Sequence, residues 1–503
     1  MKRANICLSI LALLGVLNSS ALAEVKLPNI FSDHMVLQQK QANKVWGMAA
    51  AGEKVTVTIG NQSHTATAAA DGSWHVMLNP LDAGGPYELT VTGTNTVKVT
   101  DVLVGEVWIC SGQSNMQWSV QQSYDADLEA LTAKYPKLRM VNFPQVGTQE
   151  PIWEHPNAKW QVCSSETVGR FSAVGYFFGR QLHETLDVPV GLINNAWGGS
   201  ACEAWINRKV LEADGKYSNM LTNSDNQAKQ AAELEAKQNP SDDDKKKLAD
   251  LQRTLKGNHR PANIYNGVLK SHIGYGIRGA IWYQGESNAG RAYQYRDLFP
   301  LMIQNWRNEW GQGDFPFYWV QLADYNPEVE QPGDSTWAEL REAQTMTMDR
   351  LTKTGQAVII DIGEGRDIHP RNKVDVGRRL ARLALANDYG LKINAQSPRY
   401  KSMEKQDNKI VLTFDNIDSW WSFDIRDKPI GFSIAGEDKK FVWAEAKILP
   451  DKRIEVSSAA VTNPVAVRYG WADNPRVNMF NKDRLPLTPF RTDDWPGVTI
   501  NNK

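Results

Sequence analysis

The chain runs to 503 residues, more than one hydrophobic core accommodates, so two or three domains are expected. Its 42% hydrophobic and 22% charged residues are those of ordinary globular protein and exclude a largely disordered chain. A formal net charge of −1 leaves no electrostatic footprint for nucleic acid or an anionic membrane surface.

Lys2 and Arg3 precede the apolar run Ile6 to Leu17, and small residues follow at Ala21 and Ala23. That layout predicts a secretory signal peptide over 1–23, cleaved after Ala23. The run is too short to span a bilayer and nothing later reaches its length, so a periplasmic or secreted chain without a membrane span is expected. Cys7 leaves with the signal, and Cys110, Cys163 and Cys202 remain, with no CxxC pair to suggest a redox or zinc role.

Residues 24–100 read as a β domain of sandwich type. Val55 to Ile59 and Tyr87 to Val91 alternate with period two, and Asp71-Gly72, a dipeptide that type I′ hairpins prefer, sits between such runs. From 101 to 395 short apolar strands (Glu106 to Cys110, Val190 to Asn194, Gly279 to Tyr283, Ala357 to Ile360) alternate with amphipathic stretches such as Phe171 to Leu186 and Val374 to Asn387. This predicts an α/β layer with a mostly parallel sheet, whose ligands bind beyond the strand ends. Within it, 209–258 is a charged helical insert: Ser241 and Asp244 resemble a capping box, Leu248, Leu251 and Leu255 form one narrow stripe, and Gly257 ends the helix. Residues 396–503 are again β-rich.

The chemistry lies at the strand ends. Val107 to Ser111 runs into Gly112-Gln113-Ser114-Asn115, a sharp turn that exposes a serine hydroxyl. Such a hydroxyl needs a neighbouring base, and backbone N–H groups can serve the developing oxyanion. A lone serine here is more often a helix cap, and the sequence is not the Gly-x-Ser-x-Gly elbow. Of the histidines, His34, His64 and His75 fall in the β domain. His183-Glu184 is followed by Asp187 where a metalloprotease pair needs its second histidine. His369 follows the strand Ala357 to Ile360, and Asp367 stands two residues before it, about 6.6 Å away on extended backbone and on the same side. Two further ends complete the set: Asn194-Asn195-Ala196-Trp197-Gly198-Gly199-Ser200, and Tyr283-Gln284-Gly285-Glu286-Ser287-Asn288 with its amide donors. Trp118, Trp197, Trp205 and Tyr283 lie near these motifs, as sugar platforms or as core.

These residues resemble the sialate O-acetylesterase family of the SGNH hydrolase superfamily. The likeness also covers Asp33-His34-Met35-Val36-Leu37-Gln38, Gly105-Glu106-Val107-Trp108, Arg468-Tyr469-Gly470-Trp471 and Phe490-Arg491-Thr492-Asp493-Asp494-Trp495. The resemblance implies a flavodoxin-like three-layer α/β hydrolase domain with flanking β-sandwich-like domains. It implies Ser114 as nucleophile, His369 as general base and Asp367 orienting it. An oxyanion hole is implied from the Ser114 N–H, Gly198 or Gly199, and a side-chain amide of Gln284 or Asn288. Gln113, Asn115, Trp197 and Glu286 are expected at the substrate, which is an acetylated carbohydrate: an O-acetylated sialic acid, with acetylated xylan as the alternative. No metal and no cofactor are implied. The superfamily prefers Asp three residues before the histidine, where this chain has Arg366, so Asp361, Glu364 and a Ser–His dyad stay open. Two rival readings are a glycosidase using Glu286 with Asp367 or Glu364, and a non-catalytic carbohydrate-binding protein. Both leave Ser114, His369 and the glycine turn without a role. The oligomeric state is not legible.

Overall fold

The computed structural model describes residues 24–422 and 428–502. The expected signal segment, with Cys7, lies outside the described residues. No described helix is long and apolar enough to cross a membrane.

The protein is mixed α/β, with a central, mostly parallel sheet and further sheets at either end of the chain. In the N-terminal region Asn43–Met48 pairs with Ser73–Leu78, while Lys54–Ile59 pairs with Gln62–Thr67 and Gly84–Thr92. Val45, Val76 and Leu78 from the first pair and Val55, Val57 and Leu89 from the second share one core. At Asp71-Gly72 the chain makes a tight turn, the Gly72 N–H donating to the Ala69 carbonyl (2.9 Å) and the Ala69 N–H to that of Ser73 (2.8 Å), but the expected pairing of the flanking strands is not formed. Gln62–Thr67 and Ser73–Leu78 pair with different partners, and the Asp71 carboxylate instead accepts the Ser73 N–H at 3.0 Å. Five residues separate those strands, and beyond the turn each strand continues into a different sheet.

The long strand β1 (Thr96–Gly112) joins this region to the rest. Its first half pairs with Gly84–Thr92, and from Glu106 onward it lies at the centre of the main sheet. The sequence boundary expected near residue 100 falls inside this one strand. After β1 come α1 (Ser114–Gln117), β2 (Lys134–Asn142), α2 (Ala173–Leu186), β3 (Val190–Asn194), β4 (Gly279–Tyr283), α3 (Ala292–Trp310), β5 (Phe317–Val320), α4 (Thr336–Arg350), β6 (Thr354–Ala357) and α5 (Lys373–Asn387). The parallel order is β6-β5-β4-β1-β3-β2, closed at one edge by the antiparallel strand Gln161–Ser164.

Alternation along each strand explains how both faces are covered. Val107, Ile109, Ile193, Ala280, Trp282, Phe317 and Trp319 enter a core with Leu298, Phe299, Met302 and Trp306 of α3 and Leu340 of α4. Trp108, Cys110, Leu192, Ile281, Tyr283 and Tyr318 face Phe177, Phe178 and Leu182 of α2 and Leu380 and Leu383 of α5. Fully buried Trp108, Trp205, Trp282, Trp306 and Trp319 show that much of the tryptophan content is core. The three cysteines of the described residues are buried and unbridged.

The insert forms two helices, Ser218–Glu235 and Asp242–Leu255, and its capping box is reciprocal: the Asp244 N–H donates to Ser241 Oγ (3.2 Å) and the Ser241 N–H to Asp244 Oδ2 (2.9 Å). In the C-terminal region Ile410, Leu412, Ile434, Val456 and Val467, from two four-stranded sheets, share a separate core.

Candidate active site

Strand order places the site. The sheet reverses direction of growth at β1, with β3 on one side and β4 on the other, and the crevice beyond their C-terminal ends is where such folds take ligands. At that end Gly112 adopts φ +134°, and a β-carbon there would lie 2.2 Å from the Tyr283 carbonyl of β4. Only glycine fits, and the turn it permits carries Gln113 and then Ser114, the first residue of α1.

Ser114 Oγ lies 2.8 Å from His369 Nε2, although 255 residues separate them in sequence. The serine is therefore not a helix cap: its hydroxyl faces an imidazole, as a nucleophile–base pair requires. His369 comes from the loop between β6 and α5, is 26% exposed, and stacks on Trp118 with centroids 4.7 Å apart and planes inclined by 13°. Asp367 is close without making the orienting bond. Its Oδ1 is 3.7 Å from Nδ1, beyond hydrogen-bond distance, and accepts the backbone N–H of His369 at 2.9 Å. Desolvation, then the Lys373 charge, hold His369 below its ordinary range, against the pull of Asp367. The alternative carboxylates are engaged elsewhere: Asp361 forms a two-pronged pair with Arg379 (2.6 and 2.7 Å), and Glu364 accepts the Arg371 N–H at 2.8 Å.

The glycine turn lies against the serine. A β-carbon on Gly198 would stand 3.4 Å from Ser114 Cβ. The Gly198 N–H donates to Gln117 Oε1 at 2.7 Å, whereas the N–H groups of Ser114 and Gly199 make no hydrogen bond among the described residues. Asn258 Nδ2 (2.5 Å) holds the Gly198 carbonyl, and His259 Nε2 (2.7 Å) and Ser287 Oγ (2.9 Å) meet that of Gly199.

Gln284 and Asn288 differ from expectation. Gln284 Nε2 donates to the Ser200 carbonyl (3.1 Å) and Asn288 Oδ1 (2.7 Å), and its Oε1 accepts from Tyr295. Asn288 Nδ2 donates to Glu203 (3.0 Å). Both amides are buried and brace the 200–203 turn rather than facing Ser114. Of the residues expected at the substrate, Gln113 is buried and accepts the Gly285 and Ser287 N–H groups, and Asn115 is buried and bonded to Glu286 and to the Ile368 carbonyl. Asn115, whose Nδ2 and Oδ1 are both already paired, has no polar atom to offer a ligand. Burial also pushes the Glu286 carboxyl up from its ordinary value. Trp197 is half-buried, whereas Trp205 and Tyr283 are core.

A cavity of about 570 Å³ opens over Ser114 and His369, lined also by Gln117, Trp118, Asn142, Gln145 and Arg170. Arg170 is exposed and is the one permanent cation among its described lining residues, which include no carboxylate. Sequence reasoning missed Gln117, Asn258, His259 and Lys373, each of which acts through a contact distant in the chain, and Arg170, which the fold brings to the cavity wall. No cluster of metal-ligating side chains occurs among the described residues.

The chain is similar to known proteins in sequence and fold. A family model described as carbohydrate esterase, sialic acid-specific acetylesterase, matches residues 104–250 and 257–386. The sialate O-acetylesterase of Mus musculus is 29% identical, with 96% of each chain covered, and that of Homo sapiens 28% identical, covering 95% of this chain and 94% of its own. Among solved structures, a carbohydrate acetylesterase from Xanthomonas citri is 37% identical with a TM-score of 0.81, over 94% of this chain and all of its own.

Proposed function

Because the chain belongs to the sialic acid-specific acetylesterase family of carbohydrate esterases, and is a carboxylic ester hydrolase acting on O-acetylated carbohydrate, we propose that Ser114 is its nucleophile and His369 its general base. The observation that carries this reading is the 2.8 Å contact between Ser114 Oγ and His369 Nε2 at the floor of an open cavity. His369 takes the hydroxyl proton as Oγ attacks the acetyl carbonyl. The imidazolium then protonates the departing sugar alcohol, and water activated by the same nitrogen releases acetate. The oxyanion meets the N–H groups of Ser114 and Gly199, joined by that of Gly198 once Gln117 yields it. Asp367 acts on the imidazole through its charge. A glycosidase would need Glu286 at the cavity, but that carboxylate is tied to Asn115 at 2.8 Å.

The substrate we infer is an O-acetylated sialic acid, read through its carboxylate by Arg170. A charge-assisted hydrogen bond contributes roughly 1.5–3 kcal/mol, or about 10- to 100-fold. Acetylated xylan, a neutral polymer, is the alternative. The strand order and the two helical faces support a flavodoxin-like SGNH hydrolase domain over 101–395, with β-sandwich-like domains at 24–100 and 396–503. Export follows from the signal at 1–23.

Acetate release from acetylated sialic acid and from acetylated xylan tests both levels. Ser114→Ala should lose a thousandfold or more on either substrate, on the order seen when a triad serine is removed, with its unfolding midpoint kept. Arg170→Ala should lose about 10- to 100-fold on the sialic acid alone. Near-normal turnover by Ser114→Ala refutes the nucleophile, and equal loss on both substrates refutes the carboxylate reading.

A further inference from the structure

Lys373 has no part in the reaction above, yet it is fully buried beside it. It opens α5, and its Nζ donates to Asn115 Oδ1 at 2.5 Å while lying 5.2 Å from the centroid of the Tyr283 ring. Asn115 directly follows Ser114, and its Nδ2 donates to the Ile368 carbonyl (2.9 Å) and to Glu286 Oε1 (2.8 Å). Ile368 directly precedes His369. The two segments are thus joined twice, once through Oγ and Nε2 and once through the Asn115 amide.

An amide can lie either way round in its pocket, and only one way works here. Reversed, Oδ1 would face the Ile368 carbonyl and a carboxylate oxygen, acceptors against acceptors. A lysine ammonium has donors only, so its contact with Oδ1 adds to the bar that the Ile368 carbonyl and Glu286 set against the reversal. From this geometry we propose that Lys373 is a positioning residue for ester hydrolysis: acting through Asn115, it fixes the Ile368–His369 segment and hence the approach of His369 to Ser114.

The inference rests on the reading of Ser114 and His369 as nucleophile and base. The ionisable groups facing Lys373 are Tyr283 of β4, Glu286 from the turn after β4, and Glu364, Asp367 and His369 from the loop before α5. Glu286 Oε2 makes no hydrogen bond among the described residues. Burial drives Lys373 down and Glu286 up. A neutral amine still donates to Oδ1, so the hold on Asn115 survives loss of the charge.

The test is a double-mutant cycle on Lys373→Met and Asn115→Ala, read by kcat and KM on an aryl acetate, with the His369 imidazole followed by NMR titration. Lys373→Met replaces the amine with an apolar chain, a change buried sites often tolerate. It should lower kcat roughly 10- to 100-fold, the scale of a misplaced catalytic group, with KM and the unfolding midpoint unchanged and the His369 titration moved upward. If Lys373 acts through Asn115, the double variant loses no more than Asn115→Ala alone. Losses that multiply, or a kcat for Lys373→Met within twofold of the parent with His369 unmoved, overturn the proposal. Should Asn115→Ala not fold, Asn115→Asp keeps the acceptor for Lys373 while removing the donors, and a near-normal kcat there overturns it equally. An active Ser114→Ala would refute the nucleophile instead, and the cycle and the titration would still report on Lys373.

Discussion

Replacing Asp367 by asparagine keeps the shape and removes one charge. In a serine-protease triad the same change costs about ten thousandfold, because the carboxylate accepts the imidazole N–H and fixes its tautomer. Here the 3.7 Å gap leaves no such bond to lose. What remains is charge acting on charge: two unit charges 3.7 Å apart interact by about 1 kcal/mol in water and about 4.5 kcal/mol at an effective dielectric of 20. Asp367 is 44% exposed, which sets the value near the lower end. One to two kcal/mol corresponds to a loss of roughly 5- to 30-fold in kcat. Because Asp367 raises the His369 titration, its removal should also move the acid limb of kcat/KM to lower pH, opposite to Lys373→Met. Steady-state hydrolysis of an aryl acetate across pH reads both effects. Asp361→Asn and Glu364→Gln are the controls, and each should leave kcat little changed. A ten-thousandfold loss in Asp367→Asn would refute the charge-only reasoning, since only a formed Nδ1 hydrogen bond accounts for it. Loss confined to a control would place the orienting carboxylate there, and three active variants beside a dead His369→Ala would define a Ser–His dyad.

Two further outcomes follow from the site. His369 is held below its ordinary value near 6.5, and a base must be unprotonated to act, so the acid limb of kcat/KM for the parent enzyme should fall below pH 6.5; a limb above pH 7 contradicts the assignment. Gln117→Ala frees the Gly198 N–H for the oxyanion and should raise kcat for small acetate esters a few-fold, while a KM raised tenfold would make Gln117 a substrate ligand instead.

The strand ends were legible because each carries a local signature: an apolar run, then glycine or an amide. Ser114 and His369 stood at two such ends, and β1 and the loop after β6 bring them together. Gln284 and Asn288 misled because an amide beside a strand end reads alike whether it faces a ligand or braces the 200–203 turn, and only burial separates the two. Asn258 and His259 were hidden for the opposite reason: they follow a charged insert that reads as solvated surface, yet they hold the carbonyls of the glycine turn. Asp71-Gly72 shows the limit of dipeptide signals, since the residues around a turn do not state which strands will pair. Lys373 did leave a trace. A lysine as the first residue of a helix opposes the helix dipole, and a local choice that works against stability is a sign of a constraint from elsewhere in the fold.

That constraint explains why the residue is lysine. Proton transfer from Ser114 creates an imidazolium between Asp367, half in solvent, and Lys373, fully buried. Solvent weakens the favourable partner, and a fixed buried cation would act on the imidazolium with little screening. An arginine at 373 would impose that penalty throughout the working range, because a guanidinium does not lose its proton. Burial moves the lysine the other way, toward the neutral amine, while Glu286 offsets the charge that remains. The amine keeps its hydrogen bond to Asn115 in either state, so the orientation of His369 is maintained as the opposing charge diminishes. Geometry and electrostatics thereby separate in one side chain, which only a group able to donate both charged and neutral allows.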